Sequence, residues 1–378
     1  MEFDPTAHPH RRYNPLTGEH VLVSPHRNKR PWLGQTEPPQ TATLPEYDPA
    51  CYLCPGNPRS GGQINEKYTS TLVFENDFPA LLPPPGPVPP VSGHPLLQAT
   101  PVEGGCDVLI FHPRHDLTLA RMATDDIENV VNEWMRVYLK RGRQPGIKYV
   151  QIFENKGAMM GCSNPHPHGQ VWSLNEVPAF PATELENLKK YGQRPQASGL
   201  VSGAPCGPGN KPCMLCEYAH HEMSLQGEEG RIVVQNEHWV ALVPYWAIWP
   251  FEVLLLSHHR HIPSLDHLEA QERKSLASII SRLTIRYDNL FSTSFAYSMG
   301  IHQRPVPSQD SSILADGDEA HLHLHFNPPL VRSATVRKFL VGFEMMGEPQ
   351  RDLTAEQAAA RLRACSEVHY LDSSDHGS

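Results

Sequence analysis

Ser163-Asn-Pro-His166-Pro-His168-Gly-Gln170-Val-Trp172 places two histidines two residues apart, and His321-Leu-His323-Leu-His325-Phe326 repeats the spacing in the second half of the chain. Alternate residues of a strand face one side, so His166 and His168, and likewise His323 and His325, aim paired imidazoles in one direction. Pro167 suits an edge or irregular strand and stiffens the first pair. Upstream, both runs are preceded by the same stations in the same order. The first half has Cys51-Tyr-Leu-Cys54, the strand-like TSTLVFENDFPALLP and CDVLIFHPRHDLTL, a helical stretch, then KYVQIFENKG. The second has Cys213-Met-Leu-Cys216, RIVVQNEHWVALVP, FEVLLLSHHRHIPSL, a helical stretch, then FAYSMGIHQRP. Asn76 and Asn236 hold matching places after their Cys pairs. Ile127, Val130, Val131 and Trp134 follow three/four spacing, as do Leu276, Ile279, Ile280 and Leu283, which predicts one principal helix per half. The expected architecture is therefore two pseudo-symmetric α+β repeats, residues 1–200 and 201–378, closing into one larger sheet or barrel. Thr354 and Gln357 have capping-box spacing ahead of a last helix.

Two Cys-x-x-Cys pairs in a chain with a polar N-terminus and no long apolar run point to metal binding in a cytosolic setting. Zinc takes four N/S ligands. Cys51 and Cys54 supply two thiolates, and His166 and His115 are candidates for the rest, with His112 competing for the place of His115. Such a closed set is structural, and clamps the strand that carries His168. His168 is then free to act: a neutral imidazole is a nucleophile near pH 7 and can carry a covalent phosphoramidate. Gln170, on the same strand face, can donate a hydrogen bond to a phosphoryl oxygen but holds no transferable proton. Gly157-Ala-Met-Met-Gly161-Cys162-Ser163-Asn164 offers backbone donors for phosphate oxygens without the ending of a Walker loop.

The composition narrows the partners. There are 38 prolines and 22 histidines among 378 residues, and the net charge is −9. That charge disfavours a nucleic-acid surface, and no stretch is long enough for a membrane helix. Arg27, Lys29 and Arg30, and Arg332, Arg337 and Lys338, form local basic clusters. Two rival readings are a nucleotide-sugar phosphorylase or histidine-triad hydrolase, and a non-catalytic zinc-ribbon binding module. Gln170 speaks against the hydrolase, and the SNPHPHGQVW run and the acidic balance against the module.

At RRYNPLTGEHVLVSPHRNKRPWLGQ, CYLCPG, ENDFPAL, YVQIFENKGAMMGCSNPHPHGQVW, VPYWAIWPFE, YDNLFSTSFAYSMGIH and NPPLVRSATVRKFLVGFEM the chain resembles the galactose-1-phosphate uridylyltransferase family of the histidine-triad superfamily. The resemblance implies an α+β fold of two histidine-triad-like repeats forming a mainly antiparallel half-barrel sheet with flanking helices. It implies that UDP-glucose uridylylates His168 and releases glucose 1-phosphate, and that galactose 1-phosphate then takes the UMP to give UDP-galactose. It also implies a cytoplasmic homodimer in which Arg27 and Arg30 reach the neighbouring subunit's site. Asn76 and Asp77 would bind uridine; Asn155, Gly161, Cys162, Ser163 and Gln170 would line the phosphates. Lys338, Phe339, Phe343, Glu344 and Gln350 would complete the pocket. His115 is the family-matched zinc ligand in preference to His112. For a second metal the resemblance offers Glu184, His302, His323 and His325, which hold iron in some members. The internal repeat instead favours zinc on Cys213, Cys216, His261 and His323, with His258 and His259 competing for the place of His261. His323 stands in both sets, so the two are alternatives or nearly overlap. Residues 303–320 are expected to form a loop that closes over the sugar.

Overall fold

In chain order the elements of the first half are β1 (His10–Tyr13), β2 (His20–Val23), β3 (Leu72–Glu75), β4 (Gly104–Ile110), α1 (Thr124–Gly142), β5 (Tyr149–Lys156) and β6 (His168–Leu174), followed by the linking α2 (Ala179–Gly192). The second half has α3 (Met214–Ser224), β7 (Ile232–Gln235), β8 (Trp239–Leu242), β9 (Val253–Ser257), α4 (Ala270–Leu290), β10 (Tyr297–His302), β11 (His323–Asn327), α5 (Phe343–Met346), β12 (Gln350–Arg351) and α6 (Ala355–Arg363). The structure is a computed structural model that describes residues 2–29, 44–90, 93–194, 203–225, 227–306 and 318–372.

Nine strands form one antiparallel sheet in the order β3-β4-β6-β5-β10-β11-β9-β8-β7. The halves meet where β5 pairs antiparallel with β10, Tyr297 opposite Lys156 and Ile301 opposite Ile152. These strands hold equivalent places in the two repeats, so their antiparallel pairing gives the halves a pseudo-two-fold relation. The expected half-barrel is not formed. β3 and β7 end the sheet on opposite sides, and no sheet among the described residues is closed or curled into a half-barrel. Closure requires the last strand to bond the first. Here the outer edge of β7 is taken by α6, whose last residue, Arg363, donates to the carbonyls of Gly230 and Ile232 at 2.8 and 2.7 Å, one of the ways a sheet edge is protected.

Both principal helices pack on one face. Ile127, Val130, Val131 and Trp134 of α1, and Leu276, Ile279, Ile280 and Leu283 of α4, are all buried in one core, as their spacing predicts. The strands alternate: Val171, Leu324 and Phe326 enter that core, while His168, Gln170, His323 and His325 belong to the opposite face. On the second half this opposite face is covered. Val21 and Val23 of β2, Leu16 of the turn that leads into it, Leu188 of α2 and Leu215 of α3 pack on Val240, Leu242, Leu254 and Leu256. β8 and β9 are consequently buried along their whole length. On the first half the apolar cluster over the sheet among the described residues is smaller, made of Cys51, Leu53, Cys54, Tyr68, Val108 and Ile110. The capping box at Thr354 forms, with Gln357 N donating to Oγ1 at 3.2 Å and Thr354 N to Oε1 at 3.3 Å.

Candidate active site and metal centres

His168 begins β6 and lies between the sheet and a cavity lined by Leu117, Thr118, Asn155, Gly157, Cys162 and Asn164. Its Nδ1–H donates to the carbonyl of His166 at 2.7 Å. A carbonyl only accepts, so Nε2 keeps its lone pair. Burial lowers the pKa, partly opposed by that hydrogen bond, so the ring is neutral near pH 7. Gly169, the next residue, cannot carry a side chain: a Cβ there would lie 2.9 Å from the Phe153 carbonyl oxygen and 3.1 Å from the Phe111 ring.

Of the other expected residues of the first half, Asn155 and Cys162 line the cavity, whereas Asn76, Asp77, Gly161, Ser163 and Gln170 are not among its lining residues. Asn155 Oδ1 accepts from Ser298 Oγ at 2.6 Å. Gly157 and Gly161, at φ +87° and +77°, bracket a single 3-10 turn and bring Cys162 back to the cavity. The Cys162 thiol donates to the Asn164 carbonyl at 3.0 Å, and burial raises its pKa. Gln170 Oε1 accepts from Trp172 Nε1 at 3.3 Å, which leaves its amide N–H groups for an acceptor. Asn76 accepts from Phe78 N and Asp77 from Gly61 N, both at 2.9 Å, at the end of β3.

Cys51, Cys54, His115 and His166 bring one ligand atom each within 4.8 Å of one another, and all four are buried. Cys54 Sγ is 3.5 Å from His166 Nδ1 and 3.7 Å from His115 Nδ1. His166 Nε2 donates to the His112 carbonyl at 2.8 Å, which turns Nδ1 to the thiols. His112 thus supplies its backbone; its ring points to Asp126, 3.6 Å away. Burial pushes the Cys54 thiol up to about 11 and the His166 imidazole down to about 3. A divalent cation offsets the cost of the thiolates such a set requires.

The second Cys pair gathers differently from expectation. Its group is Cys213, Cys216, His261 and His321, not His323. His321 Nδ1 lies 3.4 Å from both sulfurs, and His261 Nδ1 lies 3.3 Å from Cys213 Sγ. His321 Nε2 donates to Ser257 Oγ at 3.0 Å and His261 Nε2 to the Asp318 carbonyl at 2.9 Å, the same orienting device as at His166. The reason is register. His321 stands two residues before His323, as His166 stands before His168, so His323 is the counterpart of His168 and faces elsewhere. Its Nδ1 donates to the His321 carbonyl at 2.6 Å, as His168 does to His166. His258 and His259 stay outside the group, bonded to the Asn236 carbonyl and Glu272.

Glu184, His302, His323 and His325 form a third, separate group. The two sets, expected to be alternatives or nearly to overlap through His323, are therefore distinct, because His321 takes the place expected for His323 beside the thiols. His302 Nδ1 is 2.6 Å from Glu184, and Nε2 of His323 and His325 are 3.4 and 3.6 Å from it. Those two Nε2 atoms are buried and lack a hydrogen-bond partner. Burial opposes ionisation of Glu184, yet the imidazoles hold its carboxyl well below the usual range. An anionic oxygen facing orphaned imidazole nitrogens fits a cation. The residue missed in the sequence was His321. Its signal was its equivalence to His166.

The remaining expected residues lie apart from the His168 cavity within one chain. Arg27 sits in the 3-10 turn Pro25–Lys29, its carbonyl accepting from Arg332 at 3.5 Å. Lys338 bonds Glu344 at 2.7 Å and the Gln350 carbonyl, and Phe339 and Phe343 are exposed beside them. None of these lines the cavity, whose described lining comes wholly from the first half. Arg30 and residues 307–317 of the expected loop lie outside the described residues.

Comparison with known proteins adds independent findings. The family model for the N-terminal domain of galactose-1-phosphate uridyl transferase matches residues 1–178, and the model for its C-terminal domain matches residues 186–374. The galactose-1-phosphate uridylyltransferase of Cryptococcus neoformans is 51% identical over 96% of this chain and 92% of its own length. That of Haemophilus influenzae is 50% identical over 98% of each. A solved structure of a uridylyltransferase superposes with a TM-score of 0.67 at 27% identity, over 94% of this chain and 97% of that one. An ADP-glucose phosphorylase from Arabidopsis thaliana has the same fold, with a TM-score of 0.68 at 22% identity over 95% and 99% of the two chains.

Proposed function

This chain belongs to the galactose-1-phosphate uridylyltransferase family, and from that premise we propose that His168 carries the UMP it transfers. The enzyme is a nucleotidyltransferase that converts UDP-glucose and galactose 1-phosphate to glucose 1-phosphate and UDP-galactose. In the first step His168 Nε2 attacks the α-phosphorus of UDP-glucose. The N–P bond forms as the P–O bond to the bridging oxygen breaks, and glucose 1-phosphate leaves with that electron pair. In the second, a phosphate oxygen of galactose 1-phosphate attacks the same phosphorus, and the N–P bond breaks. The observation that carries this reading is the 2.7 Å bond from Nδ1 to the His166 carbonyl. It holds the ring with Nε2 toward the cavity and stabilises the positive charge that develops as N–P bonding proceeds.

Asn76 and Asp77 bind the uridine portion in this proposal. Asn155, Gly161, Cys162, Ser163 and the Gln170 amide hold the phosphates. An amide donates without surrendering a proton, so transfer to a second phosphate is favoured over hydrolysis. Arg27, Arg30, Lys338, Phe339, Phe343, Glu344 and Gln350 are proposed to act in the site of a second copy of this chain. Supporting this, Phe339, Val341, Phe343, Met345 and Met346 are together exposed in one segment; a monomer in solution would remove the dimer. Zinc is proposed at both Cys2His2 groups, where it supplies a rigid clamp on the strands that follow. Zinc or iron is proposed at the Glu184 group. A cytosolic setting goes with these thiols, which must stay reduced to bind metal.

Intact-protein mass after mixing with UDP-glucose alone, at neutral or alkaline pH, tests the assignment. A UMP-sized gain is expected, removed by galactose 1-phosphate and missing in His168→Ala. An adduct that persists in that variant would place the carrier elsewhere.

A further inference from the structure

Behind the His168 cavity lies a buried group that the transfer reaction does not itself explain. Lys156 ends β5, between Asn155 and the Gly157 turn, and lines the cavity with them. Its ammonium is 2.8 Å from Asp288 Oδ1 of α4, and the two side chains are only 6% and 2% exposed. The same oxygen accepts from Phe295 N at 2.8 Å, in the lead-in to β10. The other, Oδ2, accepts from His369 Nε2 at 3.2 Å. One carboxylate thus ties together the end of β5, the start of β10 and the C-terminal segment.

That segment is itself firmly held. Asn289, next to Asp288, donates to the carbonyls of Ser366 and Val368 at 2.9 and 2.8 Å and accepts from Tyr370 N at 2.7 Å. Arg286 donates to the carbonyls of Leu362, Arg363 and Cys365 at 2.9, 2.7 and 2.7 Å. These bonds fix where His369 meets Asp288. Desolvation makes buried ion pairs a weak source of net stability, but their geometry is demanding. A demanding geometry beside a phosphate cradle matters because transfer depends on sub-ångström alignment of the reacting atoms.

We propose that Asp288 and His369 are positioning residues for UMP transfer: through Lys156 they set the register of Asn155 and the Gly157–Cys162 turn against His168. The inference rests on His168 as the UMP carrier. Neither residue touches substrate. The C-terminal segment, the most distant in sequence from His168, becomes part of what aligns the site.

The test uses the full-length protein and four variants: His369→Ala, His369→Gln, Asp288→Asn and the double variant Asp288→Asn with Lys156→Met. The readouts are the single-turnover rate of UMP adduct formation per folded chain, steady-state kcat and KM, metal content and thermal unfolding. His369→Ala is expected to slow adduct formation about tenfold or more with KM for UDP-glucose little changed. His369→Gln, whose amide can donate to Asp288 from the position of Nε2, is expected to recover most of the rate. Lys156→Met is expected to add little to Asp288→Asn, because both break the same link. A His369→Ala protein that unfolds at lower temperature yet transfers UMP at the wild-type rate overturns the proposal, as does a His369→Gln no faster than His369→Ala. Failure of the wild type to form any adduct would instead overturn the His168 assignment, and this inference with it.

Discussion

His168 and His323 make the same hydrogen bond, Nδ1 to the carbonyl two residues back, at 2.7 and 2.6 Å. What differs is the surroundings of Nε2: a cavity for His168, and Glu184, His302 and His325 for His323. One local device therefore presents the proposed nucleophile in one half and a candidate metal ligand in the other. Environment also governs Glu154, which is buried on the helix side of β5 and accepts from the Tyr297 hydroxyl at 3.0 Å. Burial raises its pKa to about 7, against the opposing charge of Lys156. The unfolded carboxyl ionises near 4.5, so between that pH and about 7 the native state binds the extra proton and stability falls as pH rises. The accumulated loss above pH 7 is about 3 kcal/mol. Glu154→Gln removes the titration. It is expected to unfold at the wild-type denaturant midpoint or lower near pH 4.5, and to gain on the wild type steadily up to pH 7. A difference between the two that is independent of pH would show that Glu154 is ionised in the fold.

Among the elements, β6 carries the proposed nucleophile because alternation gives it one face for the core and another free of it. Gly169 permits this by letting β6 approach the Phe153 carbonyl and the Phe111 ring. Gly169→Ala is expected to push His168 out of line, lowering kcat on the order of tenfold or more while α1 and α4 keep their packing. Unaltered turnover in that variant would mean that β6 tolerates the displacement. The helices and most strands were legible from three/four spacing and from alternation. The register of His321 was harder to read: His321, His323 and His325 all share one parity. Choosing which of them meets the thiols required the loop geometry that brings Cys213 and His261 to the first of the three.

For the whole molecule, the open nine-stranded sheet gathers, among the described residues, three separate groups able to hold a metal, two on the Cys2His2 pattern and one on Glu184. Metal analysis of purified protein is expected to give three ions per chain. Cys213→Ser should lose one of them while His168 still accepts UMP. Retention of all three in that variant would count against the second Cys2His2 site. Asymmetric covering of the sheet is the other large-scale feature. The β1-β2-β12 sheet, α2 and α3 bury the second half on its second face, whereas among the described residues the first half carries a smaller apolar cluster there.

Sequence by itself determined the repeat, the principal helices, the paired histidine strands, Cys51, Cys54 and His166 of the first metal set, and the family, whose motif then chose His115 over His112. All of these are written in local spacing and in motifs, because side-chain direction follows the period of the backbone. Three matters were decided only in the tertiary structure. The sheet stays open because α6 covers the edge at β7, an event between segments far apart in the chain. The Cys213 and Glu184 groups are separate because His321 and His323 turn to different neighbours. The Lys156–Asp288–His369 link exists because three distant segments converge on one buried carboxylate. Spacing along a chain reports which way a side chain points; only the folded packing reports what it meets there.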